Sequence, residues 1–123
     1  MIEPTHRIAV VDDDSAVRKS LKLLLETASY SVQTFEGARE FISSLVYEIP
    51  ACALIDLQMP QMTGLELQEY LVSAEIALPI IIITAHDEFG TREQCAALGA
   101  KEYLVKPLRK AVLLAAIDAA IAT

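Results

Sequence analysis

Acidic side chains directly follow two short apolar runs that lie far apart in the sequence. Asp12 and Asp13 follow Ile8–Val11, and Asp56 follows Ala51–Ile55. Carboxylates held close together raise each other's pKa unless a cation neutralises them. An oxygen-rich site with few protein ligands suits Mg²⁺, which retains several of its waters. If the two runs are neighbouring strands, these residues predict a magnesium site.

Two further polar residues follow apolar runs later in the chain. Thr84 follows Ile80–Ile83 and offers a hydroxyl, whereas Lys106 follows Tyr103–Val105 and offers a fixed positive charge. Together with three carboxylates and Mg²⁺, they could surround a phosphoryl group, whose transfer depends mainly on positioning and charge neutralisation. A nucleophilic carboxylate would then form an acyl phosphate. The combination favours phosphoryl chemistry on a carboxylate.

Each of these residues also has an ordinary structural interpretation. Asp13, Asp14 or Ser15 could simply cap a helix, and aspartate is common in turns. The Thr84 hydroxyl could bond to local backbone, and Lys106 could be a solvated surface lysine. The functional interpretation therefore depends on four separate strands all ending in the required type of group.

Alternation of β-branched runs with amphipathic stretches predicts five β-α units. The predicted strands are Ile8–Val11, Ser31–Phe35, Ala51–Ile55, Ile80–Ile83 and Tyr103–Val105. The predicted helices cover Val17–Ala28, Ala38–Leu45, Gly64–Ala74, Glu88–Leu98 and Leu108–Ile121. Right-handed crossovers then favour an α/β fold, a doubly wound three-layer sandwich. Flavodoxin-like sheets of this kind have five parallel strands in the order 2-1-3-4-5, which is the order expected for this chain. Ligands bind such sheets beyond the carboxyl ends of strands 1 and 3.

The composition fits one compact domain of 123 residues with a full apolar core, since 54% of the residues are hydrophobic. A net charge of −7 argues against direct nucleic-acid binding by this domain. Cys52 and Cys95 form no CxxC pair and are predicted to be buried, which fits a reducing cytoplasm. Met1–Arg7 shows no signal-peptide core, and Ile76–Ile83 is far shorter than the roughly 18 residues of a membrane span.

At these motifs the sequence resembles the receiver family of bacterial response regulators, over essentially its whole length. The resemblance is carried by Val10–Asp14, Ile55–Pro60 with Thr63-Gly64, Ile83–Ala85 and Tyr103–Pro107. It implies that Asp56 is the phosphoacceptor. It also implies that Asp13 is the direct Mg²⁺ ligand, that Asp12 acts through water or as a second ligand, and that the Gln58 carbonyl is a further ligand.

The resemblance also implies a switch. Thr84 and Lys106 would contact the phosphoryl oxygens, and Tyr103 would turn inward when Thr84 moves toward the phosphoryl group. The surface of helix 4, strand 5 and helix 5 would carry the readout; helix 4 has a weak apolar face and is expected to be the least firmly held helix. In this family the Lys106–Pro107 bond is cis.

The implied partners are a sensor histidine kinase or phosphotransfer protein, with a phosphorylation-induced homodimer as a further hypothesis. Residues 1–123 would form one receiver domain without an output domain, most like the N-terminal receiver of a transcriptional regulator with a helix-turn-helix. Whether the chain is an excised domain or a stand-alone receiver stays open at this point.

Three other functions share parts of this pattern. A haloacid-dehalogenase-type phosphohydrolase needs a second aspartate two residues after the nucleophile, where this chain has Gln58. A degenerate receiver would have a broken acidic site, whereas this one looks complete. A small flavin-binding domain would need a phosphate-binding loop rich in Ser, Thr and Gly after strand 1, which is not seen.

Overall fold

The computed structural model describes residues 6–122, in which strands and helices alternate along the chain. The elements are β1 (Arg7–Val11), α1 (Ser15–Thr27), β2 (Ser31–Phe35), α2 (Ala38–Ser44), β3 (Cys52–Asp56), α3 (Gly64–Ser73), β4 (Ile80–Thr84), α4 (Thr91–Ala97), β5 (Glu102–Val105) and α5 (Lys110–Ala122). These are the five β-α units that the sequence predicts.

All neighbouring strands are parallel, and the sheet order is β2-β1-β3-β4-β5, which confirms the predicted fold class. β1 pairs with β2 on one side and with β3 on the other. The chain therefore leaves β1 and β3 toward opposite edges of the sheet, which opens a crevice beyond their carboxyl ends.

Helices cover both faces of the sheet, and β4 shows how the sequence achieves this. Ile80 and Ile82 pack in the core shared with α2, α3 and α4, whereas Ile81 and Ile83 pack in the core shared with α1 and α5. All four isoleucines are buried. Successive side chains of a strand point to opposite faces, so a central parallel strand needs this continuous apolar run.

The predicted starts of the last two helices are wrong by two or three residues. α4 begins at Thr91 rather than Glu88, because Gly90 before it has a left-handed φ of 84°. α5 begins at Lys110 rather than Leu108, since the first helical bond joins the Leu113 N–H to the Arg109 carbonyl. An apolar pattern marks the buried face of a helix but not its first residue.

α4 is seven residues long and buries a single residue, Cys95, in agreement with the expectation that it is weakly held. Its end agrees with the sequence: Gly99 has a φ of 96°, and the Ala100 N–H bonds back to the Cys95 carbonyl. Together with the bond from the Gly99 N–H to the Ala96 carbonyl, this forms a Schellman motif.

The cysteines agree with the sequence prediction, since Cys52 and Cys95 are both free and buried. Within residues 6–122, no helix is both long enough and apolar enough to cross a membrane. The expectation about a signal peptide falls mostly on residues 1–5, which lie outside the described residues.

Candidate functional site

The acidic residues lie at the carboxyl ends of the two central strands where the chain diverges. Asp12 and Asp13 directly follow β1, and Asp56 is the last residue of β3. Val11 and Ile55 are paired across the two strands. This register places the residues that follow each of them side by side.

Asp12, Asp13 and Asp56 form one cluster, as the sequence predicts. One carboxylate oxygen of each lies within 4.8 Å of the other two. Asp12 is 0% exposed and Asp56 is 5% exposed, whereas Asp13 is exposed to solvent. The cluster is therefore a buried pair of carboxylates with a third at its open rim.

Helix capping is the role of Asp14, one of the three candidates that the sequence left open. The Asp14 side chain accepts the Ala16 N–H at 2.9 Å and caps α1. The Asp14 N–H in turn donates to Oδ1 of Asp12 at 2.9 Å. The backbone of the loop between β1 and α1 thus holds the Asp12 side chain in place.

The charge on Asp56 is poorly compensated in the protein alone. Its pKa is raised from 3.8 to about 7, chiefly by burial and then by the neighbouring charge of Asp12. Lys106 and the Gln58 N–H oppose the shift but do not cancel it. A carboxylate in this position would be stabilised by an additional positive charge.

Lys106 reaches into the cluster from the end of β5. Its ammonium nitrogen lies 2.9 Å from Oδ2 of Asp12 and 3.9 Å from Oδ1 of Asp56. Its side chain is only 20% exposed, which excludes the interpretation as a solvated surface lysine. The Lys106–Pro107 peptide bond is cis, as the family resemblance implied.

Gly64, the first residue of α3, lets that helix pack directly against the end of β3. A Cβ atom at Gly64 would lie 2.6 Å from the Asp56 carbonyl oxygen and 2.8 Å from the Leu57 Cα. The Gly64 N–H bonds to the Leu57 carbonyl at 2.9 Å. Only glycine allows the backbone of α3 to support the Asp56 loop so closely.

Thr84 ends β4 and is fully buried, but its hydroxyl is bonded to local backbone. Oγ1 donates to the His86 carbonyl and accepts the His86 N–H, each at 3.0 Å. The structure thus shows the local bond that the sequence left as an alternative. The His86 side chain is exposed, as expected for a loop residue.

Tyr103 lies in β5 and is buried, and two contacts to its side chain and one to its backbone carbonyl hold it in place. Its hydroxyl donates to Asp87 at 3.1 Å, and the Arg92 guanidinium stacks 4.6 Å from the ring centre and donates to the Tyr103 carbonyl at 3.3 Å. Burial and then the Asp87 bond raise the pKa of Tyr103 to about 12. The phenol therefore stays neutral.

Gln58 is exposed in the loop after β3. Its N–H donates to Oδ1 of Asp56 at 3.3 Å, and no hydrogen bond within the described part of the chain uses its carbonyl. The side chain of Gln58 makes no hydrogen bond with the carboxylates.

Three contacts at and around this site were not foreseen from the sequence. Asp87 and Arg92 fix Tyr103, and Arg18 of α1 donates to the Asp12 carbonyl at 2.7 Å. Arg18 lies one helical turn after Asp14, a position from which its side chain reaches the end of β1. The spacing from Asp14 to Arg18 was the sequence feature that could have indicated this contact, although an arginine in the first turns of a helix is ordinarily solvated.

The residues present fit a divalent cation. Three carboxylates face a single lysine ammonium, which leaves excess negative charge in a partly buried pocket. All the candidate ligands are hard oxygen donors, and Asp13 at the rim leaves room for water. This donor set matches Mg²⁺ rather than a metal that prefers nitrogen or sulfur ligands.

Comparison with known proteins gives the class to which this fold and site belong. Residues 8–118 match the response regulator receiver domain. The chain belongs to this family, the receiver domains of two-component systems. The transcriptional regulatory protein TdiR of Thauera aromatica is 37% identical over 115 residues, which are 94% of this chain and 51% of that protein.

Other relatives agree in sequence and in structure. The transcriptional regulatory protein FixJ of Bradyrhizobium diazoefficiens is 35% identical over 114 residues, covering 93% of this chain and 56% of FixJ. The crystal structure of FixJ-N superposes with a TM-score of 0.89 at 29% identity, covering 98% of this chain and 96% of FixJ-N. The chain spans about half the length of the curated relatives that it matches.

Proposed function

We propose that this chain is a phosphorylation-dependent switch in which Asp56 accepts a phosphoryl group from a phosphohistidine. The donor would be a sensor histidine kinase or a phosphotransfer protein. One observation carries the proposal: the buried Asp56 carboxylate lies in a cluster with Asp12 and Asp13, and the Lys106 ammonium bridges that cluster. Family membership supports the same reaction.

The proposed reaction is a direct transfer. The P–N bond of the donor breaks as an oxygen of Asp56 bonds to phosphorus, and the imidazole of the donor is released. Mg²⁺ held by Asp12, Asp13, Asp56 and the Gln58 carbonyl would neutralise charge on the carboxylates and the phosphoryl oxygens. Water attack on the acyl phosphate would later return Asp56 to its free form, so the domain would catalyse both steps on itself without being a conventional enzyme.

Lys106 and Thr84 would bind the transferred group. The Lys106 side chain is long and flexible, and its nitrogen already lies between Asp12 and Asp56, so a small movement would bring it to a phosphoryl oxygen. Thr84 would have to exchange its two bonds with the His86 backbone for a bond to the phosphoryl group. That exchange would couple the phosphorylation state to the loop before α4.

The proposed relay runs from Thr84 to Tyr103 and then to the face formed by α4, β5 and α5. Tyr103 contacts both the loop that carries Asp87 and Arg92 on α4, so a movement of that loop would reach the helix. Val105 and Val112 on this face are 40% and 48% exposed. Their exposure supports the hypothesis that phosphorylated chains pair through this face.

The output is proposed to be transcription, through an attached or a partner domain, because the relatives named above are transcriptional regulators of about twice this length. Direct DNA binding by this domain is not expected at a net charge of −7. A cytoplasmic location fits the two free, buried cysteines.

Intact-mass measurement after incubation with acetyl phosphate and Mg²⁺ tests the acceptor. The wild type should gain one phosphoryl group, and the gain should disappear in Asp56→Asn or with chelator. Asp14→Asn is the matched control, because it removes a neighbouring carboxylate that only caps α1. Full phosphorylation of Asp56→Asn would reject the proposal.

Sedimentation velocity with and without beryllofluoride and Mg²⁺ tests the pairing hypothesis separately. A shift from monomer to dimer is expected with both additions. A species that stays monomeric under all conditions would contradict pairing while leaving the acceptor role of Asp56 intact.

A further inference from the structure

The guanidinium group of Arg18 lies against the backbone of the acidic cluster. Its Nη1 donates to the Asp12 carbonyl oxygen at 2.7 Å, and the Arg18 side chain is 15% exposed. Its Nη2 is 3.9 Å from Glu36, whose side chain is 80% exposed. The short bond to Asp12 is therefore the main interaction of this half-buried cation, and the contact with Glu36 is a weak, solvated one.

The Asp12 carbonyl depends on this bond. Asp12 is fully buried, and each of its other polar groups has a separate partner: its N–H bonds to the Phe35 carbonyl, Oδ1 accepts the Asp14 N–H, and Oδ2 pairs with Lys106. Within residues 6–122, Arg18 is the only donor to the carbonyl. A buried carbonyl without a partner is costly, so loss of Arg18 would favour a rotated peptide.

That peptide also determines where Asp13 points. The Asp12 carbonyl and the Asp13 N–H belong to one rigid plane, so holding the carbonyl fixes the direction in which the chain enters Asp13. The Asp13 side chain is exposed, and no hydrogen bond to another described residue orients it. Its approach to Asp56 therefore depends on the backbone.

We propose that Arg18 is a positioning residue for the divalent-cation site, which it serves by clamping the Asp12–Asp13 peptide so that the Asp13 carboxylate faces Asp56. This role rests on the proposed function only in taking the carboxylate cluster as the cation site. Arg18 itself does not contact the cation or the phosphoryl group.

The charge of Arg18 should change the Mg²⁺ affinity in the opposite direction from its positioning role. The direction of the change in affinity therefore tests the proposal. A positive guanidinium beside the cluster repels a cation, so if charge were its only influence, removing Arg18 would tighten Mg²⁺ binding. If positioning dominates, removing it weakens binding.

Calorimetric titration of the 123-residue chain with Mg²⁺ alone distinguishes the two. Arg18→Met should weaken Mg²⁺ binding by about tenfold, the effect usual for a residue that orients a metal ligand. Arg18→Lys should recover part of the loss, because it restores one donor. Lys19→Met is the matched control: it removes the adjacent exposed cation, which bonds to none of the described residues, and should change the affinity less than about twofold.

Phosphorylation by acetyl phosphate gives a second readout. Arg18→Met should need about tenfold more Mg²⁺ for half-maximal rate, with the rate at saturating Mg²⁺ nearly unchanged. A merely structural defect would lower the saturating rate as well. Thermal unfolding in chelator checks that each variant folds; if Arg18→Met does not, Arg18→Lys must bind Mg²⁺ more weakly than the wild type.

Unchanged or tighter Mg²⁺ binding by the folded Arg18 variants would overturn the positioning role. Failure of the wild type to bind Mg²⁺ or to be phosphorylated would instead reject the proposed function. The first failure appears in the Arg18 variants and the second in the wild type, so the two are distinguishable.

Discussion

The Lys106 ammonium nitrogen is 2.9 Å from Oδ2 of Asp12, closer than its 3.9 Å approach to Asp56, so in this structure the lysine neutralises a proposed metal ligand. Because Asp12 is fully buried, Lys106→Ala should lower the free energy of unfolding of the metal-free protein by about 3 kcal/mol. It should also tighten Mg²⁺ binding, because a competing cation is lost. Urea unfolding in chelator and Mg²⁺ titration measure the two effects.

The control for this experiment is Lys101→Ala, which removes an exposed lysine near the opposite end of β5. It should leave both quantities nearly unchanged. Equal stability of Lys106→Ala and the wild type in chelator would show that the pair with Asp12 contributes nothing to the fold. Phosphorylation of Asp56 should persist in Lys106→Ala, but with a weaker structural response.

The raised pKa of Asp56 predicts how stability depends on pH without metal. Between about pH 4 and pH 7 the unfolded chain has lost the Asp56 proton, whereas the folded chain keeps it. The folded state then binds more protons, so the free energy of unfolding should fall as the pH rises through this window and level off above it. Mg²⁺ should remove the fall because it stabilises the ionised form.

Other carboxylates titrate in the same range, so the quantity to measure is the difference between the wild type and Asp56→Asn. Urea unfolding of both proteins in chelator from pH 4 to pH 8 provides it. Parallel curves would mean that Asp56 ionises at its ordinary pKa, contrary to the burial and like charge around it.

The sequence predicts most of the fold because the fold depends on patterns that are local in the chain. Four successive isoleucines in β4 require a strand covered on both faces, and the β-α alternation requires parallel crossovers. The start of α4 was missed because the left-handed conformation of Gly90 does not alter the apolar pattern.

The members of the cluster were predictable because parallel strands bring their carboxyl ends to one edge. The individual hydrogen bonds and ion pairs at that edge were not predictable. The Thr84 hydroxyl bonds to its own loop, Lys106 prefers Asp12 to Asp56, and Arg18 bonds to a backbone carbonyl. These contacts depend on side-chain torsions and loop paths, which short sequence patterns do not determine.

Gly64 should tolerate no side chain. Gly64→Ser would place a Cβ against the backbone of Asp56 and Leu57, so it should destabilise the protein by roughly 1–3 kcal/mol and slow phosphorylation. Gly37→Ser is the matched control, because a Cβ there meets only the flexible Glu40 carboxylate and serine is a good helix N-cap. Similar losses in both variants would contradict the proposed close approach.

Glycine should stabilise the protein at the C-terminal ends of α1 and α3. Ser29 after α1 and Glu75 after α3 have φ values of 72° and 56°, and both stand in Schellman motifs, where a side chain is strained. Ser29→Gly and Glu75→Gly should each raise the free energy of unfolding by about 0.5–1 kcal/mol, with additive effects. Urea unfolding of the two single variants and the double variant tests this, and a loss in either would count against the strain.

Gln68 on α3 is a fully buried amide that links α3 to α4. Its Nε2 donates to the Cys95 carbonyl at 3.1 Å, while Oε1 has no partner among the residues described. Gln68→Leu would remove the unpaired oxygen, and the Cys95 carbonyl would keep its bond from the Ala100 N–H. Overall stability should therefore rise by about 0.5–1 kcal/mol, since an unpaired buried polar atom costs more than one hydrogen bond contributes.

The same substitution should loosen α4 locally. The hydrogen bond from Gln68 to the Cys95 carbonyl is one of few contacts that hold this helix, which buries only Cys95. Amide exchange at Leu98 and Gly99 should become faster in Gln68→Leu even though urea unfolding shows a more stable protein. A decrease in overall stability would mean that the bond to Cys95 outweighs the unpaired oxygen, and α4 would then be held more firmly than its burial indicates.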